Sequence, residues 1–513
     1  MTDFLWMLVF VQVAMGGFDT LYHHELTERL AWRPAQKTEL RLHGVRNLAY
    51  AAMFAALGWS RPQGAFAIAL IALMLGELVI TLWDFVEEDR TRKLPASERV
   101  THALLTLNYG IVLAMLVPLL ARWAALPSGV VGGYYGIWSW LCVIAGVGVT
   151  ISGLRDLAAA RRTPRIVQGD AAHLAAALKG RQTILITGGT GFIGQRLAPA
   201  LVEAGHDVIV LTRARAHAAQ LPAPIRIVTA LDQIASGERI DAVVNLAGEP
   251  LANGFWTRAK RRAILRSRLS VTRDVFRLVR RLHWPPKVLV NGSAIGWYGL
   301  RGDESLDEAA GAAPCFSHEL CKRWERAAVR VPCGRVVLLR IGLVLGADGG
   351  MLSRMLMPFE YGMGGPFGKG AHWMSWIHRD DMVRMIVHAL ATPGLCGPVN
   401  GAAPMPVRNR DFAKALGRAL RRPAFLPIPA APLRLVLGDF AEELLLRGQR
   451  VIPAAALASG FRFTYPDLDS ALAAIVGRTQ AAPAKRAPQP RPGRIVPPPL
   501  AIPAMGEARG EIT

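Results

Sequence analysis

Cysteine is scarce in this chain and never usefully spaced. There are five in 513 residues, Cys142, Cys315, Cys321, Cys333 and Cys396. An odd count with no metal-type spacing excludes a disulfide framework and a zinc-finger site, and predicts reduced thiols in the cytosol. Charge is also sparse, at 19% of residues, and acidic charge most of all, with 38 Asp and Glu against 60 Lys and Arg. The resulting net charge of +22 does not by itself predict nucleic-acid binding, because the basic residues are scattered and no nucleic-acid motif accompanies them. Two readings of the excess stay open: an arginine-rich proteome, or a membrane protein whose cytoplasmic bulk faces anionic lipid. Basic residues are missing from the opening "MTDFLW" as well, and no small-residue cleavage site follows, so a removed signal peptide is not expected.

What the chain has in abundance is apolar residues, 52% of the total, concentrated in the first 155. Runs at 64–83, 103–121 and 130–152 are long enough to cross a bilayer, which takes about 20 helical residues. Two shorter runs, 4–18 and 47–59, are marginal. Between the runs, basic residues alternate between many and few: five in 19–46, Arg61 alone in 60–63, four in 84–102, Arg122 alone in 122–129, then Arg155, Arg161, Arg162 and Arg165. That alternation fits the positive-inside rule with the remainder of the chain in the cytoplasm, and it needs 47–59 to cross. Five spans are therefore expected, with four as the alternative, and the protein is placed in the inner membrane. Trp59, Trp83 and Trp123 sit at the proposed helix ends, where an interfacial belt would put them.

Polar residues inside this module are conspicuous. Glu77 lies within "LIALMLGELVITLWDF", and an ionisable side chain at membrane depth is a functional candidate. His23, His24, His43 and His102 fall near cytoplasmic helix ends, with Asp19, Glu39, Asp84 and Glu87 close in sequence. Lacking a tight ligand motif, they read as interfacial caps and arginine partners, and no metal is expected. A metal or haem site assembled from them is the alternative. Residues 156–180 form a polar joint suited to a short amphipathic helix. The tail from about 478 to 513 is rich in Pro, Ala and Arg and is expected to be disordered.

The chemistry begins at "ILITGGTGFIGQRL" (184–197). The apolar "TILIT" predicts a strand, Gly188, Gly191 and Gly194 a tight turn, and "QRLAPALVEAG" a helix. The first glycine permits the turn, the second lets backbone approach a pyrophosphate, and the third lets helix pack on strand. Phosphates then sit at a helix N-terminus, so Gly188, Thr190, Gly191, Phe192, Ile193 and Gly194 form the expected cradle of a dinucleotide. The second strand ends at Thr212-Arg213, with Arg215 beyond it and no carboxylate. A guanidinium there suits the 2′-phosphate of NADP. "DAVVNLAG" (241–248) is another buried strand, and Leu246, Ala247 and Gly248 would let the cofactor come close. "KVLVNGSAIGWYG" and "RVVLLRIGLVLG" continue the pattern. Strands alternating with helices predict an α/β fold, a doubly wound parallel sheet of Rossmann type.

With these residues the chain resembles the extended short-chain dehydrogenase/reductases, and among them an epimerase-like family of unknown substrate. The matching stretches are "TGGTGFIG", "NLAGEPLANGFWT", "SRLSVTRDV", "NGSAIGWYG", "LCKRWERAA", "RIGLVLG", "SWIHRDDMVR" and "GPVNGAAPMPVRNRDFAKAL", with the family's C-terminal segment following. The resemblance covers about 182–477 and omits the membrane module. It implies an NADP-binding oxidoreductase or epimerase with a small C-terminal lobe. Short-chain dehydrogenases use a Tyr-x-x-x-Lys pair and an upstream hydroxyl residue; the tyrosinate is acid and base, and the lysine lowers its pKa. Ser293 stands where the hydroxyl residue is expected. In "CFSHELCKRWERAA", aligning Glu325 with the family's glutamate puts Ser317 in the tyrosine position and Cys321 in the lysine position, and Lys322 is one residue out of phase, about 100° round the helix. Tyr298 is then the leading substitute proton donor, with His378 and Asp381 more distant. Trp373 and Trp376 fit either a substrate pocket or the core.

The expected organisation is an all-α membrane module over 1–155, a linker over 156–180, an NADP-binding Rossmann domain over 181–400, a substrate-side lobe over 401–477 and a tail over 478–513. Its expected partners are a nicotinamide dinucleotide, the lipid bilayer and an unidentified small or lipid-soluble substrate. The rival readings are a non-catalytic NADP(H) sensor or scaffold, and NADPH-to-haem electron transfer.

Overall fold

The structure, a computed structural model, describes residues 1–92, 94–166, 171–213, 221–222, 224–251 and 255–478. Arg215, part of the linker and nearly all of the tail lie outside the described residues.

Five long helices come first. α1 (Asp3–Phe18) runs without a break into a π-helical stretch, Asp19–Glu28. α2 (Lys37–Trp59) leads through β1 (Ser60–Gln63) to α3 (Ala65–Thr91) and α4 (Ala96–Ala124), and β2 (Gly129–Gly132) precedes α5 (Ile137–Ile166). β1 and β2 pair antiparallel, which ties the two arginine-poor connections together at one end of a helical bundle. The arginine-rich connections gather at the other end. Among the described residues, four helices are long and apolar enough to cross a membrane: Asp3–Glu28, Ala65–Thr91, Ala96–Ala124 and Ile137–Thr163. α2 falls short of that standard because Lys37, Glu39, Arg41, His43 and Arg46 occupy its first half. α5 also runs about ten residues past the expected boundary at 155, as the helix-favouring "LRDLAAARR" allows.

The second half is an α/β layer structure. In chain order come β3 (Thr183–Thr187), α6 (Gly194–Glu203), β4 (Asp207–Leu211), β5 (Arg226–Val228), β6 (Ala242–Asn245), α7 (Arg258–Arg281), β7 (Val288–Ala294), β8 (Ser305–Leu306), α8 (Phe316–Ala328), β9 (Val336–Ile341), β10 (Leu343–Leu345), α9 (Leu352–Glu360), β11 (Trp373–Met374), β12 (Trp376–His378), α10 (Arg379–Ala391), β13 (Gly397–Gly401), β14 (Val407–Arg408), α11 (Asn409–Leu420), α12 (Ala430–Leu437), β15 (Arg450–Val451), α13 (Ala454–Ala458) and α14 (Leu468–Ile475). Seven strands form one sheet in the order β13-β9-β7-β6-β3-β4-β5, every neighbouring pair parallel. This is the doubly wound Rossmann arrangement, extended by β13.

Alternation along the strands splits the core by face. Ile184, Ile186, Val208, Val210 and Val244 pack under Leu197 and Leu201 of α6 and Val383 and Ile386 of α10. Leu185, Ile209 and Val243 pack against Val275, Leu278 and Val279 of α7. Strand order reverses between β3 and β6, so a crevice opens at their C-terminal ends. A separate core joins the two halves: Leu30, Trp32, Leu40, Ala159 and Ala160 from the bundle pack with Leu352, Met355, Leu356 and Phe359 of α9.

Candidate functional site

The crevice is built by glycines where nothing larger fits. β3 ends at Thr187, and Gly188 turns the chain with φ +73°. A side chain at Gly188 would meet the Leu246 carbonyl carbon at 2.8 Å, and one at Gly194 would meet the Gly188 oxygen at 2.3 Å. The Gly191 N–H donates to the Gly188 oxygen (3.0 Å), which closes the turn. The α6 N-terminus therefore opens against the ends of β3 and β6. Thr187 links them: its backbone carbonyl accepts from the Leu246 N–H (3.1 Å), and its hydroxyl accepts from the Ala247 N–H (3.2 Å) and donates to Asn245 (2.6 Å). Ala247 and Leu246 are half-buried at the crevice lip.

The remaining cradle residues divide the labour. Phe192 packs its ring against Gly346, Gly349 and Gly350, with the Arg379 guanidinium 4.8 Å above it. Ile193 packs against the core under the sheet, and Thr190 is half-buried in the turn. Arg213 is exposed just beyond β4. Gly248 lies against Arg268, whose Cζ would be 2.8 Å from a Cβ there. Arg268 falls within the matching stretch "SRLSVTRDV", but nothing else in the sequence sets it apart from the many other arginines of α7. It is buried, donates to the carbonyls of Glu249 (3.1 Å) and Ile264 (3.0 Å), and burial pulls its pKa down to about 10.

At the end of β7 a buried polar network takes the place of the missing tyrosine-lysine pair. Ser293 donates to Glu325 of α8 (2.6 Å). Glu325 is gripped from the other side by Arg340 of β9, with two bonds of 3.1 Å. Arg340 also donates to the Tyr298 hydroxyl (3.2 Å) and stacks 3.6 Å over Trp297. Tyr298 in turn donates to Asn400 of β13 (2.7 Å). Tyr298 is fully buried. Burial pushes its pKa up to about 12, against the pull of Arg340. Its hydroxyl is thus occupied as donor and as acceptor. Arg340 was legible in principle, as the one charge inside the apolar "VVLLRIG".

The α8 positions hold neither the tyrosine nor the lysine, and the groups that stand there are already engaged. Cys321 is buried beneath the Ala294 carbonyl (3.7 Å), and burial pushes its pKa up to about 12. Ser317 donates its hydroxyl to Glu443 (2.5 Å), and the same carboxylate accepts the Phe316 and Ser317 N–H groups (3.2 and 3.0 Å). Lys322 points elsewhere, 3.7 Å from Glu319. The distant candidates are structural. His378 Nδ1 accepts from the Asp380 N–H (3.1 Å) and caps α10, while Asp381 accepts the Thr464 and Tyr465 N–H groups (2.9 and 2.8 Å). Trp376 is core, its indole donating to Met405 (3.0 Å); Trp373 is half-buried between Arg408 (4.1 Å) and Arg450 (4.9 Å).

In the bundle, Glu77 accepts from Tyr50 and Thr81, both at 2.6 Å. Asp19, His24, His43, Glu39 and His102 come together with Glu88 and Glu98, which the sequence did not flag. Glu87 stays outside, 3.8 Å from Arg90.

Known proteins resemble the second half. A family model described as the NAD dependent epimerase/dehydratase family matches residues 184–397, and one for a domain of unknown function (DUF1731) matches 428–475. Epimerase family protein SDR39U1 of Bos taurus is 40% identical over 301 residues, which is 57% of this chain and 99% of that protein. Epimerase family protein YfhF of Bacillus subtilis is 37% identical over 300 residues, 57% of this chain and 97% of its own. The crystal structure of human epimerase family protein SDR39U1 with NADPH matches with a TM-score of 0.53 at 36% identity, covering 57% of this chain and 99% of that one. Residues 1–183 lie outside both family models.

Proposed function

This chain belongs to the NAD-dependent epimerase/dehydratase family, in its SDR39U1-like branch, and from that premise we propose that it is a membrane-embedded, NADP-preferring oxidoreductase or epimerase. That it binds a nicotinamide dinucleotide follows from its family and from the Gly188–Gly194 turn, the observation that carries the reading. Preference for NADP is supported by exposed Arg213 at the end of β4 and by the NADPH in the human relative's crystal structure. The adenosine 2′-phosphate would meet Arg213, and the pyrophosphate would meet the free N–H groups opening α6.

The chemistry we propose is hydride delivery to an already polarised acceptor. Ser293, near the C-terminal end of β7, stands where the family resemblance puts the hydroxyl residue. In the structure its one proton is donated to Glu325 (2.6 Å). On substrate binding that hydrogen bond would turn to the acceptor oxygen, with Arg340 keeping Glu325 in place, and the oxyanion left by hydride addition would take its proton from water. A small or lipid-soluble acceptor is supported by apolar surface on both halves. Leu75, Val79, Leu82, Leu107 and Ile144 of the bundle are all more than half exposed, and α12 has no buried residue, with Leu435 88% exposed. The apolar helices lie in the inner membrane, with the arginine-rich end and the Rossmann half in the cytoplasm.

Titration calorimetry with NADPH and NADH tests the cofactor, and NADPH is expected to bind at least about tenfold more tightly. Oxidation of NADPH by detergent-solubilised protein, across quinones and carbonyls, tests the chemistry. Tight binding with no oxidation across that panel favours the second reading, a non-catalytic NADP(H)-responsive membrane protein. The specific observation on that side is α8, where Glu443 occupies Ser317 and Cys321 stands buried in place of the lysine.

A further inference from the structure

Four segments converge at the arginine-rich end of the bundle, next to the core shared with α9. Each brings acid and imidazole, or two acids, to one point. The π-helical stretch supplies Asp19 and His24, α2 supplies Glu39 and His43, α3 supplies Asp84 and Glu88, and α4 supplies Glu98 and His102. In each of the three α-helices the pair is four residues apart and so shares a face. In the first segment the pair is five apart, and there the helix takes the wider i→i+5 ladder that aligns such a pair. Local π-helix of this kind clusters at functional sites.

Two overlapping sets result. One ligand atom from each of Asp19, His24, Glu98 and His102 lies within 4.8 Å of the others, and the same holds for His24, Glu39, His43 and Glu88. Glu88 spans them, with one oxygen 3.4 Å from His102 Nδ1 and the other 3.9 Å from His43 Nε2.

The cluster is not a finished set of ion pairs. Asp19, Glu39, Asp84, Glu88 and Glu98 are each at most 4% exposed. The guanidiniums bonded to them are Arg46, on Asp84 (2.9 Å), and Arg92, on Glu39 (2.9 Å), Glu98 (2.6 Å) and Glu88 (3.5 Å). Carboxylates therefore outnumber arginines, and buried anions need a cation. Two buried atoms in the middle make no hydrogen bond, His24 Nε2 and Glu88 Oε2, while His43 Nε2 lies 2.8 Å from Asp84. The acids near His24 are at 3.4 Å (Asp19) and 3.6 Å (Glu98), too long or too oblique to satisfy it. The His24 and His43 rings stack, their centroids 4.5 Å apart, which brings the two imidazoles to adjoining points. His102 Nε2 also meets Asp19 (3.2 Å), so some of these groups pair with each other, but imidazoles and carboxylates from four segments that converge on common points and leave buried atoms unbonded are a ligand set. His23 is bonded to Asp19 (2.8 Å) and Ser97 (3.1 Å), so it positions Asp19.

We infer that this cluster binds divalent first-row transition-metal ions of the iron, manganese or zinc kind. One ion lies among Asp19, His24, Glu98 and His102, and an adjoining one lies beside Glu39, His43 and Glu88. A mixed imidazole-carboxylate set on the inner faces of a helical bundle suits these metals rather than copper(I) or calcium. Arg92 closes the site by clamping Glu39 and Glu98 from behind.

The test is elemental analysis of full-length protein, purified in detergent without chelator after growth with added iron, manganese and zinc. Between one and two equivalents of one or more of these metals per chain are expected. After stripping, Co2+ should rebind with the visible d–d bands of N/O coordination. His24→Ala and Glu88→Ala should each lower the metal content at least fivefold, while Glu77→Gln, outside the cluster, should keep it. NADPH binding and gel filtration report folding independently. Below about a tenth of an equivalent in folded protein, with no saturable Co2+ uptake, the inference fails. It fails equally if the His24 and Glu88 variants keep their metal, if Glu77→Gln loses it too, or if the purified protein shows a haem Soret band in place of the metal.

Discussion

Tyr298 shows how one side chain can carry a catalytic signature in sequence and a structural role in space. It follows the strand that bears Ser293, as a proton donor would, yet its hydroxyl is spent on Asn400 and Arg340. Tyr298→Phe would leave a buried carbonyl oxygen and a guanidinium N–H unsatisfied, at about 1–3 kcal/mol. The expected outcome is a melting temperature several degrees lower with NADPH affinity within about threefold of the parent. A hundredfold loss of turnover at unchanged stability would restore Tyr298 to the chemistry. Histidine supplies a pH dependence at the same scale. His378 accepts a hydrogen bond at Nδ1, so that nitrogen must be unprotonated, and burial holds its pKa below 6.5. Burial likewise brings His372 down to about 4. The unfolded chain protonates both near 6.5. Below that pH the unfolded state therefore binds more protons, and stability is lost as pH falls toward the folded values. Thermal scans from pH 7.5 to 5 should show the midpoint falling. The slope should flatten in a His372→Gln, His378→Asn double variant, in which Asn keeps the cap.

Helix α8 is the element in which a family device has been replaced. Its N-terminus is held by Glu443, from a segment more than a hundred residues on, through two N–H groups and the Ser317 hydroxyl. A carboxylate there also meets the positive end of the helix dipole. Glu443→Ala should cost about 1–2 kcal/mol and raise hydrogen exchange at 316–319 and 438–446 together, since one contact restrains both. The glycine turn is stricter. Gly194→Ala places a methyl 2.3 Å from the Gly188 oxygen, a backbone atom that cannot step aside, so calorimetry should find NADPH binding abolished. Elements of this kind differ in how far the sequence exposes them. β3, β4, β6, β7 and β9 were legible because buried parallel strands are continuous apolar runs and their turns are glycine-marked. β5 and β13 were not, being three residues long in one case and "GPVNG" in the other. The cradle was legible for the same reason as β3. The Ser293–Glu325–Arg340–Tyr298–Asn400 network was not, because its members lie up to 107 positions apart and meet only when the sheet forms. In the bundle the histidines were visible, but their convergence was hidden. It depends on a π-helical register and on helix pairing, neither of which has a period in the sequence.

For the whole molecule, the two halves share more than a boundary. Phe192 of the cradle packs on Gly346, Gly349 and Gly350, which lead directly into α9. α9 ends at Glu360, where Arg155 (3.0 Å) and Arg162 (2.8 Å) reach from α5. Arg155 also grips Glu25, the residue after His24, and Arg162 lies 3.7 Å over Trp32. A continuous set of packed and bonded groups thus runs from the coenzyme loop to the polar cluster in the bundle. Contiguity alone does not establish coupling; a change at one end must be read at the other. Binding of NADPH should order the Phe192 loop and α9, and through Glu360 should slow amide exchange in 29–33. A coupling of about 1 kcal/mol corresponds to about a fivefold slowing. Glu360→Gln keeps the volume and removes the charge that both arginines share. It should leave NADPH affinity within about twofold and abolish the slowing in 29–33 while preserving that around Phe192. If the parent protein shows no slowing in 29–33 on NADPH binding, the two halves are neighbours without being coupled, and the helical bundle serves the Rossmann half only as an anchor.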